Sequence, residues 1–360
     1  MRQVLIYILL KHPFAIGERD PVSGVPGFGL TWVLAFACVV WMAVNYVRNR
    51  AIFLAELRQS SLVWGGAILA SIFVLPAVGL TKLPIFGYGM LVLIGFLCGL
   101  WLSRLRAKRI GLDPEILTDM SFWLLVTGAT GGRVAHLVQY RVTHYAHCKT
   151  VLDSLIATVN LSEGGLVLIG ALVGGAIGFF TFCGIRKLHA LQLTDVVIPG
   201  VFFGVGFGRI GCLLNGCCYG DPCNLPWAIQ FPRGSVPWLD FVKQGLLLPA
   251  DNFTMPLHPT QIYSSIDGFM ITTILWNLYP LRTRNGQLLG IACIMYACTR
   301  FLMEMIRNDT EQFRFWGLLL TISQWYSIGL FVTGTSLLVW LIFKGERATP
   351  NWTASNLPTP

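Results

Sequence analysis

The chain of 360 residues is 54% hydrophobic and only 12% charged, whereas soluble domains carry about 25% charged residues. This composition excludes a single water-soluble core and predicts a multi-pass membrane protein. The net charge of +9 does not indicate a nucleic-acid-binding protein, because the lysines and arginines stand mostly in short loops between apolar segments. Basic residues in such loops are typical of orientation signals and of contacts with anionic membrane lipids.

In chain order, the sequence contains about nine apolar segments long enough to cross a membrane. We therefore expect an all-α integral membrane protein, a polytopic helical bundle. No cleavable signal peptide is predicted, because the apolar stretch Tyr7–Leu10 is too short. The nine segments lie near residues 30–47, 61–80, 84–103, 119–140, 165–184, 193–214, 264–280, 287–305 and 324–343.

The first two segments carry no candidate site residue, and they form a predicted N-terminal extension, residues 1–80. The other seven form a predicted membrane domain, residues 81–344, whose largest loop spans about 215–263. The end of the chain, residues 345–360, is polar and rich in proline and is expected to be disordered.

Lysine and arginine are concentrated in every second loop, and the positive-inside rule assigns those loops to the cytoplasm. The N-terminus and the loops near 141–163 and 215–263 are then outside, and the C-terminus is inside. The basic residues used here are Arg48, Arg50 and Arg58; Arg104, Arg106, Lys108 and Arg109; Arg186 and Lys187; Arg282 and Arg284; Lys344 and Arg347.

Arg209 lies inside an apolar run that ends in a loop of small residues. An arginine within a bilayer costs roughly 2.5–3.5 kcal/mol on insertion scales and normally faces a protein interior or a wet cavity. The alternative is an arginine that reaches the headgroups. The surrounding Gly206-x-Gly208-x-x-Gly211 is not interpreted as a dinucleotide site, since it lies in an apolar helix and not in a βαβ unit.

A polar stripe is predicted on the segment near 287–305. Tyr296, Arg300, Glu304 and Arg307 fall within roughly 80° on a helix, and polar groups on one side of a membrane helix face inward. The alternative is an Arg–Glu pair that only joins helices, which does not explain the second arginine.

Two further stretches contain hydrogen-bonding side chains near predicted membrane surfaces. One is His258-Pro-Thr-Gln261-Ile-Tyr263, which is otherwise an ordinary helix start. The other contains Tyr88, which is equally compatible with an interfacial tyrosine.

Four cysteines follow the arginine-containing run: Cys212, Cys217, Cys218 and Cys223. Zinc coordination is an alternative, but no CxxC pair is present and no metal site is predicted. A disulfide in an oxidising compartment is an open alternative, and small packing residues are favoured.

Three motifs together resemble the prolipoprotein diacylglyceryl transferase family. They are GRIGCLLNG at 208–216, HPTQIY at 258–263 and YACTRFLMEMIRND at 296–309. Three further stretches agree with this resemblance: Gly87-Tyr88-Gly89, Gly132-Arg133 and the glycine-rich stretch 163–170. The resemblance covers about residues 84–343.

The resemblance implies a helical bundle with a small periplasmic head in the bacterial cytoplasmic membrane. It also implies transfer of a diacylglyceryl group from phosphatidylglycerol to the lipobox cysteine of prolipoproteins. That reaction forms a thioether and releases glycerol phosphate, on the outer leaflet and without cofactor or metal. The implied partners are phosphatidylglycerol, prolipoproteins and membrane lipids, with no nucleic acid.

The resemblance also assigns site residues. The implied catalytic residues are Arg209, Arg300, Tyr88, Tyr296 and His258. The implied phosphatidylglycerol-binding residues are Arg209, Arg300, Arg307, Asn215, Gly216, Glu304, Gln261 and Arg133.

This sequence departs from the family pattern at three positions. Ile169 stands where the family often has a histidine, and Cys212 and Cys217 stand where it often has asparagine and glutamate. The general base is therefore not assigned: His258, a motif tyrosine, or the effect of two arginines on the pKa of the substrate thiol are all candidates.

Two other kinds of function are weighed against the enzyme. Buried arginines and glycine-rich helices also suit a transporter or lipid-binding protein, although no inverted repeat is found. A degenerate family member could also serve as a binding scaffold. A lipidation assay separates both from an active transferase.

Overall fold

The structure is a computed structural model that describes residues 4–9, 16–19, 26–29, 33–34, 39, 82–140, 167–307, 312–315 and 318–348. The predicted segment near 61–80, most of that near 30–47, the predicted loop near 141–163 and most of the predicted disordered tail lie outside the described residues. The first residues of that tail are hydrogen-bonded: the Ala348 amide donates to the Thr283 carbonyl at 2.9 Å.

Helices form most of the described chain, as the apolar segments predict. Seven of them cover the seven predicted core segments, and α5 is a short additional helix in the largest loop. Their bounds are α1 Gly87–Arg109, α2 Pro114–Gln139, α3 Leu168–Ile185, α4 Ala190–Asn215, α5 Val236–Lys243, α6 Thr260–Leu278, α7 Gln287–Glu304 and α8 Ile322–Lys344.

Four helices of the described part are long and apolar enough to cross a membrane: α1, α4, α7 and α8. The apolar part of α3 is shorter and spans Gly170–Ile185. Large apolar side chains on these helices remain exposed, among them Trp101 at 63% and Phe343 at 81%. Such surfaces suit contact with lipid and identify a membrane protein.

Two small sheets accompany the helices, which form most of the described chain. The strands β1 Val4–Leu9, β2 Ile16–Arg19, β3 Pro26–Gly29 and β4 Lys82–Phe86 form one sheet in the order β2-β3-β1-β4. The antiparallel pair β5 Gln312–Phe315 and β6 Leu318–Thr321 forms the other. β1 is rich in β-branched and other apolar residues, which suits a strand, but it is too short to have been counted as a membrane segment.

The chain forms two compact units. The first unit contains the described residues within 4–93 and 208–262, and the second contains those within 94–207 and 263–348. The first unit has a core in its large loop, where Tyr219, Phe231, Phe241 and Leu257 are buried. The larger core of the second unit includes Leu117, Leu193, Ile271, Leu275 and Leu288, all at most 1% exposed.

Glycines bring helix backbones together within the second unit. An added Cβ at Gly99 of α1 would overlap the carbonyl oxygen of Gly200 in α4, and one at Gly200 would overlap that of Gly99. Gly131 of α2 meets Gly170 and Gly174 of α3 in the same way. Small residues allow this approach in membrane helices, where van der Waals packing drives association.

Candidate functional site

A glycine turn closes the end of α4, where the arginine motif leaves the helix. The Gly216 amide donates to the carbonyls of Cys212 at 2.8 Å and Leu213 at 3.2 Å, and the Cys217 amide donates to Cys212 at 3.1 Å. This is the Schellman pattern, which needs a left-handed residue after the helix. Gly216 meets that need with a φ of 78°, so the direction in which the loop departs is fixed.

Two side chains at the start of α6 hold this turn. Thr260 Oγ1 donates to the Cys218 carbonyl at 2.6 Å, and Gln261 Nε2 donates to the Cys217 carbonyl at 2.9 Å. Cys218 has a φ of 60°, a left-handed conformation that costs a non-glycine residue about 1–3 kcal/mol. The hydrogen bond from Thr260 therefore helps to hold a strained residue in place.

His258 contacts the same loop through its backbone. Its amide donates to the Asp221 carbonyl at 2.9 Å, and its carbonyl accepts from the Gly220 amide at 3.1 Å. Gln261, predicted to bind lipid, is 1% exposed. The HPTQIY motif thus holds the loop after the arginine motif by hydrogen bonds within the first unit, and we call these bonds the clasp.

Tyr88 and Arg209 share one environment in the first unit. A Cβ at Gly211 would lie 3.1 Å from Cδ2 of the Tyr88 ring, so glycine at this position lets the ring approach the α4 backbone. Arg209 is half-buried and lies two residues before Gly211 on α4. Tyr88 is 45% exposed, which leaves it accessible to a ligand.

Three cysteine side chains meet at the end of α4. The sulfur atoms of Cys212, Cys217 and Cys218 all lie within 4.8 Å of one another. No disulfide joins any of the eight cysteines in the described part of the chain. We call these three residues the cysteine triad. It is built by the Schellman turn, which folds the two cysteines after α4 back toward the last turn of that helix.

Arg300 is held by two side chains in the second unit. Its Nη1 lies 2.7 Å from Glu304 Oε2, one helical turn further along α7. Its Nη2 donates to Ser323 Oγ of α8 at 2.9 Å. The Arg300 side chain keeps 19% of its surface exposed, whereas that of Glu304 is fully buried. The guanidinium is thus oriented and still accessible.

Glu304 is itself tied to the N-terminus of α8. Its Oε1 accepts a hydrogen bond from Thr321 Oγ1 at 3.0 Å. Thr321 and Gln324 form a capping box, in which each side chain bonds the other residue's backbone amide. Both members of the ion pair lie on α7, and their hydrogen bonds to Ser323 and Thr321 join that helix to α8, as the alternative interpretation holds. The pair also orients Arg300.

The remaining predicted residues of the second unit have different surroundings. Tyr296 packs against Phe202, with ring centroids 5.6 Å apart. Arg133 is buried, at 8% exposure, in α2. Arg307 follows α7, and its amide donates to the Glu304 carbonyl at 3.4 Å. Ile169 lies in the first turn of α3, and its side chain is outside the described residues.

An apolar cavity of about 360 Å³ lies between α7 and α8. Its lining includes Cys298, Phe301, Leu302, Ile328 and Phe331. Apolar clefts of this size accept hydrocarbon groups.

Several residues of these surroundings were not predicted. Ser323 and Thr321 were missed, although T-I-S-Q at 321–324 has the capping-box spacing that marks a helix start. Thr260 was missed because its partner is a backbone carbonyl 42 positions away, and no local pattern reports such a contact. The meeting of the three cysteines was missed because it depends on two left-handed residues.

Comparison with protein families finds one match. The family model described as "Prolipoprotein diacylglyceryl transferase" matches residues 76–340 of this chain. That range begins before β4 and ends within α8, so it includes every predicted site residue.

Comparison with curated proteins gives the same result. A protein of Clostridium perfringens named phosphatidylglycerol–prolipoprotein diacylglyceryl transferase 2 is 32% identical over 268 residues, which are 74% of this chain and 95% of that protein. A protein of Cupriavidus metallidurans, with the same name lacking the numeral, is 30% identical over 280 residues, 76% of this chain and 95% of that protein. A similarly named protein of Clostridium tetani is 30% identical over 227 residues, 63% of this chain and 82% of that protein.

Proposed function

Because the chain belongs to the prolipoprotein diacylglyceryl transferase family, we propose that it transfers the diacylglyceryl group of phosphatidylglycerol to the lipobox cysteine of prolipoproteins. The protein is a transferase of lipoprotein maturation. The observation that carries the proposal is the family match over residues 76–340. The reaction forms a thioether on the cysteine and releases glycerol phosphate.

Arg209 and Arg300 are the proposed ligands of the donor phosphate. Negative charge grows on the phosphate as its ester bond to the glycerol carbon breaks, and fixed cationic donors stabilise that charge. Arginine suits the task because its planar fork matches two phosphate oxygens and stays charged. The paired contacts of Arg300 with Glu304 and Ser323 support this role, since an oriented guanidinium needs little rearrangement.

The other proposed site residues have catalytic, positioning or lipid-binding roles. Tyr88, Tyr296 and His258 complete the proposed catalytic set. The clasp formed by Gln261 and the burial of Glu304 support positioning roles for these two residues. Arg307, Asn215, Gly216 and Arg133 complete the proposed binding set for phosphatidylglycerol, to which Glu304 and Gln261 belong as positioning residues.

The protein is proposed to be a multi-pass protein of the bacterial cytoplasmic membrane with its site at the outer leaflet. Nine spans, an extension at 1–80, a membrane domain at 81–344 and a periplasmic head built from about 215–263 are part of this proposal. The alternation of basic loops supports it, as does the separate core of the large loop.

A lipidation assay tests the proposed function. Purified protein is mixed with phosphatidylglycerol and a lipobox peptide, and the peptide mass is followed. We expect a mass gain equal to one diacylglyceryl group, and no gain when the peptide cysteine is replaced by serine. An unmodified peptide with a folded protein that still binds phosphatidylglycerol would favour the lipid-binding alternative instead.

A further inference from the structure

Two basic segments that are distant in the sequence pair with each other in the second unit. The loop before α7 and the segment after α8 form an isolated antiparallel bridge, in which Arg284 is directly opposite Arg347. Backbone hydrogen bonds of 3.2 Å and 2.9 Å flank this pair on either side. The two arginines are therefore a non-hydrogen-bonded pair, the kind in which opposite side chains are closer.

This arrangement brings two positive charges together. Residues directly opposite in an antiparallel pair share one face, and like charges there are destabilising. Within the described residues, neither Arg284 nor Arg347 forms an ion pair with a carboxylate. Glu346 precedes Arg347 and so points to the other face, where its Oε2 lies 3.5 Å from His189 Nδ1. An anion bound between the arginines would relieve their repulsion.

Both arginines line an open cleft of about 520 Å³. Its other lining residues are Thr283, Ile342 and Ala348. Clefts of this size accept small molecules and lipid headgroups. An arginine fork matches two oxygens of a phosphate group and keeps its charge. The shape and the charge of the cleft thus suit a phosphate.

Arg284 is held in place by the end of α8. Its Nη1 donates to the Gly345 carbonyl, and its Nη2 donates to the Ile342 carbonyl at 3.4 Å. Carbonyls at a helix C-terminus lack partners within the helix and attract cations. The helix end therefore explains the position of Arg284. It does not explain Arg347, which is exposed and opposite an arginine.

An apolar surface adjoins the cleft. Trp340, Ile342 and Phe343 near the end of α8 are 48%, 64% and 81% exposed, which suits contact with lipid. Ile342 belongs to this surface and also lines the cleft. A ligand with a phosphate and an acyl chain would contact both the arginines and the apolar surface, whereas free phosphate would contact only the arginines.

We propose that this cleft binds the phosphate group of an anionic phospholipid. The positive-inside rule assigns this end of α8 to the cytoplasm, and basic pockets between membrane helices on that side bind anionic headgroups. The cleft lies at the opposite end of α7 from Arg300, and its lipid is bound without any covalent change. The proposal is therefore independent of diacylglyceryl transfer.

The test measures lipid binding to the full chain in detergent by native mass spectrometry. The two probes are phosphatidic acid and phosphatidylethanolamine with the same acyl chains, because only the first has a net negative headgroup. We expect the wild type to bind phosphatidic acid at least about 10-fold more tightly, as a hydrogen bond to a charged group allows. Arg347→Gln should lose this preference, since it removes one of the two cationic contacts.

The matched control is Lys344→Gln. It removes one positive charge from the same end of α8, but Lys344 does not line the cleft. The affinity for phosphatidic acid should change less than about fivefold, the effect of one basic residue near a membrane surface. Lipid at the proposed transferase site contributes equally to all of these variants. Equal loss of the preference in Lys344→Gln and Arg347→Gln would overturn the proposal.

Arg347→Glu gives a sharper test. Its carboxylate would lie opposite Arg284 and take the place of the anion, so the preference for phosphatidic acid should be abolished. Thermal stability in lipid-free detergent should be kept or raised, because the repulsion becomes an attraction. A preference that survives in Arg347→Glu, or a lowered stability of that variant, would contradict the proposal. Inorganic phosphate that binds as tightly as phosphatidic acid would exclude a lipid as the specific ligand.

Discussion

Arg300 shows how an apolar helix can accommodate a charged guanidinium. One nitrogen lies 2.7 Å from Glu304 and another donates to Ser323, while part of the side chain remains exposed. A buried carboxylate that loses its cation is left uncompensated, which destabilises a protein by about 3–5 kcal/mol. Arg300 therefore has a structural and a proposed chemical role that experiments must separate.

Substitution of Arg300 by lysine separates its structural role from its proposed chemical role. Arg209→Ala and Arg300→Ala are expected to lower transfer by roughly 10²–10³-fold, as loss of a transition-state donor does. Arg300→Lys keeps the charge for Glu304, so the fold should survive, but most activity should be lost because lysine lacks the two-pronged contact. The measurements are peptide lipidation and thermal stability in detergent.

Arg104→Ala is the control for these variants. Arg104 forms an exposed pair with Glu115 at 2.7 Å, and exposed pairs contribute at most about 1 kcal/mol. Its transfer rate should match the wild type. Near-normal transfer by Arg209→Ala or Arg300→Ala would remove that residue from the mechanism.

Ile169 gives a second prediction that concerns a single residue. An isoleucine cannot accept a proton, so the wild type must obtain its thiolate in another way, and Ile169→His should change the transfer rate only modestly. The rate is measured with the lipobox peptide across pH. A wild type without activity that gains it through Ile169→His would mean that this chain has lost its base.

At the scale of secondary-structure elements, side chains at the start of α6 hold the loop after α4 in place. Thr260→Val removes the donor to the part-buried Cys218 carbonyl, and loss of such a hydrogen bond costs about 1 kcal/mol. We expect hydrogen exchange of the amides at 216–220 to quicken about fivefold or more. The control is Thr273→Val, since Thr273 is exposed and its side chain bonds the Phe269 carbonyl of its own helix. Equal exchange in the two variants would contradict the clasp.

The glycine contact between α1 and α4 leads to another prediction for these elements. Gly99→Ala should lower stability by about 1–3 kcal/mol, because the new methyl group meets the Gly200 carbonyl and the helices must move. Gly175→Ala is the matched control, since nothing lies within 4 Å of its added Cβ. That variant should be neutral or more stable, because alanine favours helix. Thermal unfolding in detergent measures both, and equal stability would contradict the close contact.

What the sequence predicts is mostly local. The seven core helices follow from apolar runs, and the stripe at Arg300 and Glu304 follows from helical spacing. The return of the chain at Cys217 and Cys218 could not be predicted, because it depends on a positive φ at Cys218 and on Thr260, which is distant in sequence. The sheet that pairs β1 with β4 also joins residues more than seventy positions apart, and no periodicity specifies such a partner.

For the whole molecule, the orientation in the membrane is the main prediction. The five basic loops predict an outside N-terminus and an inside C-terminus. A cysteine introduced at Ser235 should react with an impermeant reagent added to intact cells, and one at Gly345 should not. Each is introduced singly, with the parent chain as control for its own cysteines. Labelling of the 345 variant from outside would reverse the topology.

The facing glycines of α1 and α4 also restrict how this family member can change during evolution. In most packed pairs, growth of one side chain can be balanced by shrinkage of its partner. Gly99 and Gly200 each meet the other's carbonyl oxygen, so neither partner has a side chain left to remove. These two positions should not covary, and a selection for suppressors of Gly99→Ala should return none at 200. A side chain added at Gly200 would also meet the Ser103 hydroxyl, so shortening Ser103 could relieve part of the clash of a Gly200 substitution but not that of Gly99→Ala.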